Sequence, residues 1–298
     1  MKDVTNKVAF ITGGASGVGL GLAKVFTKAG MKVVIADIRQ DFLDNAMGEF
    51  SDKENIHAVK LDITDRKALA AAAKETVDVF GKVHVLCNNA GINLFKTIED
   101  STYADWDWIM NVNLNAVFNG IHEFVPKIRS HGEGGHIVNT ASMAAFVAGP
   151  VAGIYTATKF AVRGLSESLR LSLAQYDIGV SVLCPGLVKS QIYKSEEIRP
   201  QHLHGDDYNV NHEFMKQLEQ VHELGMDPVE IGEKVLHAIK NDDFYILSHP
   251  DHKEEVRELC DEIMDAFPDE EPDPRRMEIE KMRRQTVIDI KNKIRVNK

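Results

Sequence analysis

A tyrosine and a lysine stand four residues apart in the segment IYTATKF, at Tyr155 and Lys159. On a helix, side chains at positions i and i+4 lie on the same face and can meet. Such a pair can be an ordinary packing pair. It can also be a general base and the cation that makes the base effective, because a nearby positive charge favours an ionised phenol. Residues elsewhere in the chain decide between these two interpretations.

A glycine-rich segment, TGGASGVG, follows the first predicted strand, with Gly13, Gly17 and Gly19 in the spacing TGxxxGxG. Glycines at a strand-to-helix turn let the backbone approach a pyrophosphate, and the free N–H groups of the following helix attract that anion. The second predicted strand ends at Asp37, where a carboxylate can accept hydrogen bonds from the adenosine ribose and would repel a 2′-phosphate. The sequence therefore favours NAD over NADP, with Arg39 close enough to complicate the choice.

Short apolar runs alternate with helical stretches along the chain. The runs are rich in β-branched residues and show little alternation of apolar and polar positions, which is typical of strands buried on both faces of a parallel sheet. This order predicts a doubly wound α/β fold, a seven-stranded parallel sheet with helices on both faces and ligands at the carboxyl ends of the strands. The predicted strands are 8–12, 32–37, 57–62, 83–88, 136–142, 180–185 and 244–248, and the predicted helices are 17–29, 65–80, 103–130, 155–176 and 228–241.

Two segments interrupt this alternation. Residues 190–225 form a long insertion at the ligand end of the sheet, where such excursions are usually lids or binding loops. We therefore expect residues 1–250 to form a dinucleotide-binding catalytic domain with a substrate lid at about 190–225. Residues 251–298 form a charged helical extension, which is either a solvated appendage or an arm that packs on a neighbouring subunit.

Composition excludes several classes of function. The chain has 298 residues and a formal net charge of -10, which disfavours nucleic acid and anionic membranes as partners. No apolar run approaches the length of about 20 residues that a membrane span needs. The three cysteines form no cluster and the twelve histidines include no metal-binding pair, so neither disulfide nor metal is expected. A cytoplasmic location is the prediction.

Taken in chain order, these motifs resemble those of the short-chain dehydrogenase/reductase family, in its single-domain type with a YxxxK active site. The resemblance runs from about residue 7 to residue 248. It implies that Tyr155, Lys159, Ser142 and Asn113 are the catalytic residues. The matching motifs are TGGASGVG, the pair Asp62-Ile63, NNAG (88–91), NVNL (111–114), Ser142, YTATK (155–159) and PGLVKS (185–190).

The resemblance also implies which residues bind the dinucleotide. The last position of PGLVKS is Ser190 where the family usually has threonine, and we expect the contact to survive because the hydroxyl is retained. Family members usually form homodimers or homotetramers, and the same is expected here. The implied cofactor-binding residues are Gly13, Ser16, Gly17, Val18, Gly19, Asp37, Ile38, Asp62, Ile63, Asn89, Ala90, Gly91, Tyr155, Lys159, Pro185, Gly186, Val188 and Ser190.

In this context the tyrosine–lysine pair is interpreted as a general base and its activating cation, and the packing interpretation is set aside. Tyr155 would be the general base for a secondary alcohol, and Lys159 together with the positive nicotinamide would lower its pKa from about 10. Ser142 would hydrogen-bond the reacting oxygen, and Asn113 would hold a water that relays the proton from Lys159. The predicted reaction is NAD-dependent interconversion of an alcohol and a ketone by hydride transfer.

The substrate is less well specified by the sequence. A looser resemblance, to bacterial dehydrogenases that oxidise the benzylic Cα alcohol of lignin-type aryl ethers, favours a bulky, aromatic alcohol. Arg199 leaves an acidic substrate open, and a steroid, hydroxyacyl or sugar dehydrogenase or a catalytically silent dinucleotide sensor remain as alternatives. Candidate residues of an apolar pocket are 92–95, 143–149, Ile192, Tyr193, Phe214 and Met215.

Overall fold

Strand β1 (Val8–Thr12) lies at the centre of the sheet and is buried along its whole length in the computed structural model, which describes residues 1–205 and 210–296. Its side chains alternate between the two faces. Ala9 and Ile11 belong to one apolar cluster, and Phe10 belongs to another, where its ring centroid lies 4.5 Å from that of Phe124. Each face therefore needs a covering layer of helices, because burying a large apolar side chain stabilises the fold by about 1.5–3 kcal/mol.

Seven strands form a single parallel sheet in the order β3-β2-β1-β4-β5-β6-β7. The predicted fold class is confirmed. Because the order reverses beside β1, the connections that follow β1 and β4 run to opposite faces of the sheet and leave a crevice at its carboxyl edge. The strands are β1, β2 (Lys32–Asp37), β3 (Ile56–Lys60), β4 (Val85–Asn88), β5 (Gly135–Thr140), β6 (Ile178–Cys184) and β7 (Tyr245–Leu247).

Helices cover both faces of the sheet. The first, second and eighth helices pack with the cluster that contains Ile11, whereas the third and fifth pack with the cluster that contains Phe10. The helices are α1 (Gly17–Lys28), α2 (Gln40–Gly48), α3 (Arg66–Phe80), α4 (Tyr103–Met110), α5 (Ala116–Ser130), α6 (Gly153–Leu173), α7 (His212–His222), α8 (Pro228–Asn241), α9 (Lys253–Asp265) and α10 (Pro274–Val296).

Besides shifts of one to three residues at element ends, two elements before the insertion differ from the sequence prediction. The predicted helix 103–130 is divided by a π-helical turn, Asn111–Asn115, between α4 and α5. Helix α2 was not predicted, because it is short and buries only Leu43 and Ala46 against the sheet. Its position is therefore decided by tertiary packing more than by a long apolar stripe.

The two segments that interrupt the alternation are largely helical. The insertion 190–225 contains 3₁₀ turns at Ile192–Ile198 and Gln201–Leu203 and then α7, with residues 206–209 outside the described part. The extension after residue 250 contains α9 and α10, separated by the proline-rich link. Among the described residues, no helix combines the length and the apolar character that crossing a membrane requires. The division into domains stays a prediction.

Candidate active site

The glycine-rich loop is tied to the segment that follows β4. Gly13 adopts a φ of 60°, in the left-handed region that favours glycine. Just before it, the Thr12 hydroxyl accepts hydrogen bonds from the backbone N–H groups of Asn89 (2.9 Å) and Ala90 (3.1 Å). Asn89 Nδ2 in turn donates to Thr12 O at 3.1 Å. Sequence reasoning missed Thr12, which holds two of the expected cofactor-binding segments together.

A carboxylate lies beside this loop at the end of β2. Asp37 Oδ2 accepts a long hydrogen bond from Ala15 N (3.4 Å), and its Oδ1 accepts one from Arg39 N (3.1 Å). Burial raises the pKa of Asp37, and these backbone donors partly offset the effect. The Arg39 guanidinium is engaged elsewhere: Nη2 lies 2.6 Å from Asp41 Oδ2, and Cζ lies 3.7 Å from the centroid of the Phe42 ring.

The expected adenine-contacting residues stand near the ends of β2 and β3. Asp62 Oδ1 accepts hydrogen bonds from Thr64 N (2.9 Å) and Thr64 Oγ1 (2.7 Å), which stabilise the turn after β3. Ile63 is half-buried against the cluster that contains Phe10. Ile38, next to Asp37, exposes 47% of its surface. An exposed apolar side chain beside a carboxylate suits contact with a ring and its attached ribose.

Tyr155 and Lys159 both lie in the first two turns of α6, as their spacing indicated. Lys159 Nζ is 5.2 Å from the centroid of the Tyr155 ring. The lysine is almost completely buried, and its ammonium donates to Thr140 O, at the end of β5, at 3.0 Å. Ser142 follows two residues after that carbonyl, and its hydroxyl interacts with the Tyr155 phenol. Strand β5 and helix α6 thus bring the three predicted catalytic residues together.

Burial shifts the pKa values of Tyr155 and Lys159 in opposite directions. Burial raises the pKa of Tyr155, and hydrogen bonding with Ser142 only partly opposes the rise. Burial also lowers the pKa of Lys159 to about 8. Burial thus favours the neutral phenol in this site. The remaining source of positive charge in the expected mechanism is the dinucleotide.

Asn113 lies at the centre of the π-helical turn and is fully buried. Its Oδ1 accepts from Ile92 N (2.9 Å), and its Nδ2 donates to Ile92 O (2.8 Å). A Cβ built at Gly91 would lie 3.3 Å from Asn113 Oδ1 and 3.5 Å from Lys159 Nζ, so these two side chains converge on Gly91. Single π-turns inside α-helices are frequent at functional sites, where they redirect a side chain. Here the turn directs Asn113 towards the lysine.

The segment after β6 extends from Ser142 to the glycine loop. Ser142 Oγ lies 3.4 Å from Pro185 O at its start. At its other end, a Cβ built at Gly17 would lie 3.1 Å from Ser190 Cβ. Val188, between them, is buried and forms a parallel bridge with Met226. The segment therefore contacts the expected active site at one end and the glycine loop at the other.

Buried side-chain amides connect the strands and the helix beside the site by hydrogen bonds. Asn88 Nδ2 donates to Asn139 Oδ1 (2.9 Å), and Asn139 Nδ2 donates to Ser166 Oγ (3.0 Å). These bonds join β4 to β5 and to α6, and the last two position Ser142, Tyr155 and Lys159. Sequence reasoning missed Asn139 and Ser166. A polar residue inside the otherwise apolar run HIVNT was the available signal, because buried amides require partners.

Arg199 is not directed at a substrate. Its side chain is 4% exposed, and Nη2 lies 2.6 Å from Asp105 Oδ1 on α4. Lys96 Nζ lies 3.1 Å from the other carboxylate oxygen of Asp105. Burial raises the pKa of Asp105, but the backbone of Thr102 and the two cations outweigh it and bring the pKa to about 2. An ion pair thus fastens the insertion 190–225 to α4.

A second contact joins the same insertion to the segment after β4. Ser195 Oγ accepts a hydrogen bond from Asn93 N at 3.0 Å. Nearby, the Phe95 and Phe214 rings meet edge to face with centroids 6.0 Å apart. Tyr193 is buried and donates to Glu219 Oε1 at 2.9 Å. The candidate lid therefore packs an aromatic side chain against the segment after β4.

One group of residues in the described chain has the composition of a metal site, at the opposite edge of the sheet: His84, His131 and Glu133. All four ring nitrogens are already hydrogen-bonded. The His84 ring contacts Val8 N (3.1 Å) and Glu133 Oε2 (3.1 Å), and the His131 ring contacts Val83 O (2.8 Å) and Glu133 N (3.1 Å). The lone pairs that a metal would need are thus in use. The expectation of no metal stays a prediction.

A dinucleotide fits the crevice that these residues define. Ser16, at the N-terminus of α1, makes no side-chain capping bond, and the first turn of α1 has no acidic residue. The N–H groups of this turn and the positive end of the helix therefore remain available for a pyrophosphate beside Gly13 and Gly19. The fold and the site together define the class of a nicotinamide-dinucleotide oxidoreductase.

Comparison with known proteins gives the family. A family model described as short chain dehydrogenase matches residues 7–200. The chain is also 41% identical to the C alpha-dehydrogenase of Sphingobium sp. (strain NBRC 103272 / SYK-6) over 276 residues, which are 92% of this chain and 90% of that protein. This chain belongs to the short-chain dehydrogenase family, oxidoreductases that act on CH–OH groups.

Two further relatives differ in cofactor. A short chain dehydrogenase/reductase from Burkholderia phymatum, solved in complex with NAD, matches with a TM-score of 0.85 and 32% identity over 91% of this chain and 99% of that chain. The NADP-dependent (R)-specific alcohol dehydrogenase of Lentilactobacillus kefiri is 36% identical over 188 residues, 62% of this chain and 75% of that protein. Both cofactors thus occur among the relatives, and the choice depends on this chain's own residues.

Proposed function

We propose that this protein is an NAD-dependent alcohol dehydrogenase that interconverts a bulky, aromatic secondary alcohol and its ketone. The observation that carries the proposal is the convergence of Tyr155, Lys159 and Ser142 on the crevice that Asp37 and the glycine loop border. Bound NAD would supply the hydride acceptor and a positive charge.

In oxidation, the ionised Tyr155 would accept the proton of the substrate hydroxyl. Ser142 would donate a hydrogen bond to the reacting oxygen, where negative charge develops as that proton leaves. Lys159, which donates to Thr140 O, would then relay the proton that Tyr155 has taken up towards bulk water. The position of Asn113 beside Lys159 and Gly91 supports its proposed role in holding a relay water. In reduction, the neutral Tyr155 would donate its proton to the ketone oxygen.

NAD is favoured by the two residues at the end of β2. The Asp37 carboxylate stays beside the glycine loop, where it suits the two ribose hydroxyls and would repel a 2′-phosphate. Arg39, the cation that could have compensated, pairs with Asp41 and stacks on Phe42. A fluorescence titration with NAD and NADP tests this choice. Tighter binding of NADP would contradict it.

A neutral aromatic substrate is favoured by the rim of the crevice. Phe95 and Phe214 supply aromatic surface, and Arg199, the cation that an acidic substrate would need, is committed to Asp105. The name of the Sphingobium relative, a C alpha-dehydrogenase, points to a benzylic alcohol. We therefore propose an aryl carbinol. NADH formation across aryl carbinols, steroids, hydroxyacyl compounds and polyols tests this, and faster turnover of a polyol would contradict it.

The decisive test of the reaction is Tyr155→Phe. A phenyl ring keeps the packing but cannot exchange a proton, and a positioned acid–base group contributes roughly 10²–10⁴-fold to rate. The variant should lose at least about a hundredfold in kcat while NAD affinity stays near that of the wild type. Undiminished turnover would overturn the assignment. A wild-type protein that binds NAD without turning over any of these substrates would favour the sensor alternative.

We also propose a homodimer or homotetramer in the cytoplasm. Apolar side chains stand exposed on α4, α5 and α6, namely Trp106, Phe118 and Phe160, with exposed fractions of 46%, 54% and 42%. Surface of this kind near the active-site helices suits subunit contacts. Light scattering tests the assembly, and a monomer would contradict it.

A further inference from the structure

His249 lies two residues beyond β7 and holds the segment that begins with Pro185. Its ring is buried, although the strand before it ends at the surface with Leu247 half exposed. The ring contacts two backbone atoms that flank the peptide bond between Gly186 and Leu187. Its Nδ1 lies 2.9 Å from Gly186 N, and its Nε2 lies 2.8 Å from Leu187 O. A residue 63 positions later in the chain thus holds the backbone of this turn by hydrogen bonds.

These two contacts determine the state of the imidazole. A backbone N–H can only donate, so His249 Nδ1 must carry a free lone pair towards Gly186. A backbone carbonyl can only accept, so Nε2 must carry the proton towards Leu187. The ring is therefore neutral, with its proton on Nε2. Ser248 Oγ also lies 2.8 Å from Nδ1 and, as a donor, would share its single lone pair with Gly186 N.

The turn is shaped to receive this ring. A Cβ built at Gly186 would lie 3.0 Å from His249 Cγ and 2.8 Å from His252 Nε2. A side chain at position 186 would therefore have to displace these two rings. Glycine at position 186 and the histidine after β7 are thus fitted to each other.

The consequence reaches the far end of the same segment. Leu187 O also accepts from Met226 N at 2.9 Å, so His249 and Met226 hold one carbonyl from two directions. Three residues later the chain reaches Ser190, whose Cβ would lie 3.1 Å from a Cβ on Gly17. The held turn therefore sets the position of Val188 and Ser190 over the crevice.

We propose that His249 is a positioning residue for the nicotinamide half of the dinucleotide. It acts through the backbone of Gly186 and Leu187, which places Val188 and Ser190, and it touches neither substrate nor dinucleotide itself. This inference rests on the proposed function, in which that segment contacts the nicotinamide. The adenosine half depends on Asp37 and the glycine loop, so it should be independent of His249.

The experiment compares His249→Leu, which removes both hydrogen bonds, with His249→Asn, whose Oδ1 stands where Nδ1 was and can accept from Gly186 N. Affinity for NAD and for ADP-ribose, which lacks nicotinamide, is measured by calorimetry. Loss of two hydrogen bonds should weaken NAD binding by the leucine variant about tenfold, with ADP-ribose changed less than about twofold. The asparagine variant should recover most of the NAD affinity.

A matched control is His252→Leu. In the described chain the His252 side chain hydrogen-bonds Glu255 and contacts the turn by packing alone. It should leave NAD affinity within about twofold of wild type. Equal losses of NAD and ADP-ribose affinity, unchanged NAD affinity in a folded leucine variant, or an equal loss in the His252 control would each overturn the inference. Failure of the wild type to bind NAD would instead refute the proposed function.

Discussion

Replacing Lys159 with methionine is expected to stabilise the folded protein while removing its activity. The ammonium is buried, with 3% of the residue exposed, and its hydrogen-bond partner is Thr140 O. Burial lowers its pKa from 10.5 to about 8. Because one pKa unit corresponds to about 1.4 kcal/mol, the buried cation costs roughly 3 kcal/mol at pH 7. Methionine has a similar shape and carries no charge.

The pH dependence of this stability difference follows from the protons that the folded and unfolded chains bind. Below about pH 8 both the folded and the unfolded chain hold the ammonium charged, so the full cost is present. As the pH rises from about 8 to 10.5, the folded protein loses this proton before the unfolded chain does, and the cost disappears. Losing the bond to Thr140 O subtracts about 1 kcal/mol from the gain. We therefore expect Lys159→Met to be more stable than wild type by roughly 2 kcal/mol at pH 7, and no more stable at pH 10.

Urea unfolding of both proteins between pH 6.5 and 10 measures the difference, and comparison at each pH cancels groups that the two share. Lys74→Met is the matched control, because the Lys74 side chain is 74% exposed and pairs with Asp78 on the surface. Its effect should stay within about 0.5 kcal/mol and vary little with pH. A Lys159→Met protein that is less stable than wild type at pH 7, or a difference independent of pH, would refute the reasoning.

Two further predictions concern the cofactor and the lid. Asp37→Ser should raise the KM for NAD at least about tenfold and lower the KM for NADP, because it removes both ribose hydrogen bonds and the repulsion of a 2′-phosphate; an unchanged ratio of kcat/KM for the two cofactors would contradict this. Arg199→Met should lower the free energy of unfolding by about 3 kcal/mol, because it leaves a buried carboxylate with one cation fewer. Adding Asp105→Asn should cost little more, and additive losses in this double-mutant cycle, measured by urea unfolding, would show that the pair is not coupled.

Much of the architecture could be predicted from local patterns. Strand β1 and helix α8 have the predicted boundaries, because an unbroken apolar run marks a strand buried on both faces and the segment from Pro228 to Asn241 carries its own start and stop signals. Asp227, at the N-cap, accepts a hydrogen bond from Val229 N, and Asp242 ends the helix in the left-handed region. Such signals act within one turn of chain, so they can be interpreted without a tertiary structure.

The sequence by itself also determined which residue types could carry the chemistry. Tyr155 and Lys159 meet because the period of a helix places positions i and i+4 on one face. Ser142 joins them because it follows the carboxyl end of β5, the edge where parallel strands present their ligand-binding residues.

Only the tertiary structure decided the charges and the distant contacts. Whether Arg199 faces a substrate or Asp105, and whether Lys159 makes Tyr155 acidic, depends on burial and on partners tens of residues away. The hydrogen bond from Gly186 N to the His249 ring is likewise a contact between remote residues that only the tertiary structure reveals. Hydrogen bonds and desolvation act over a few ångströms in space, and chain order does not record which remote groups come that close.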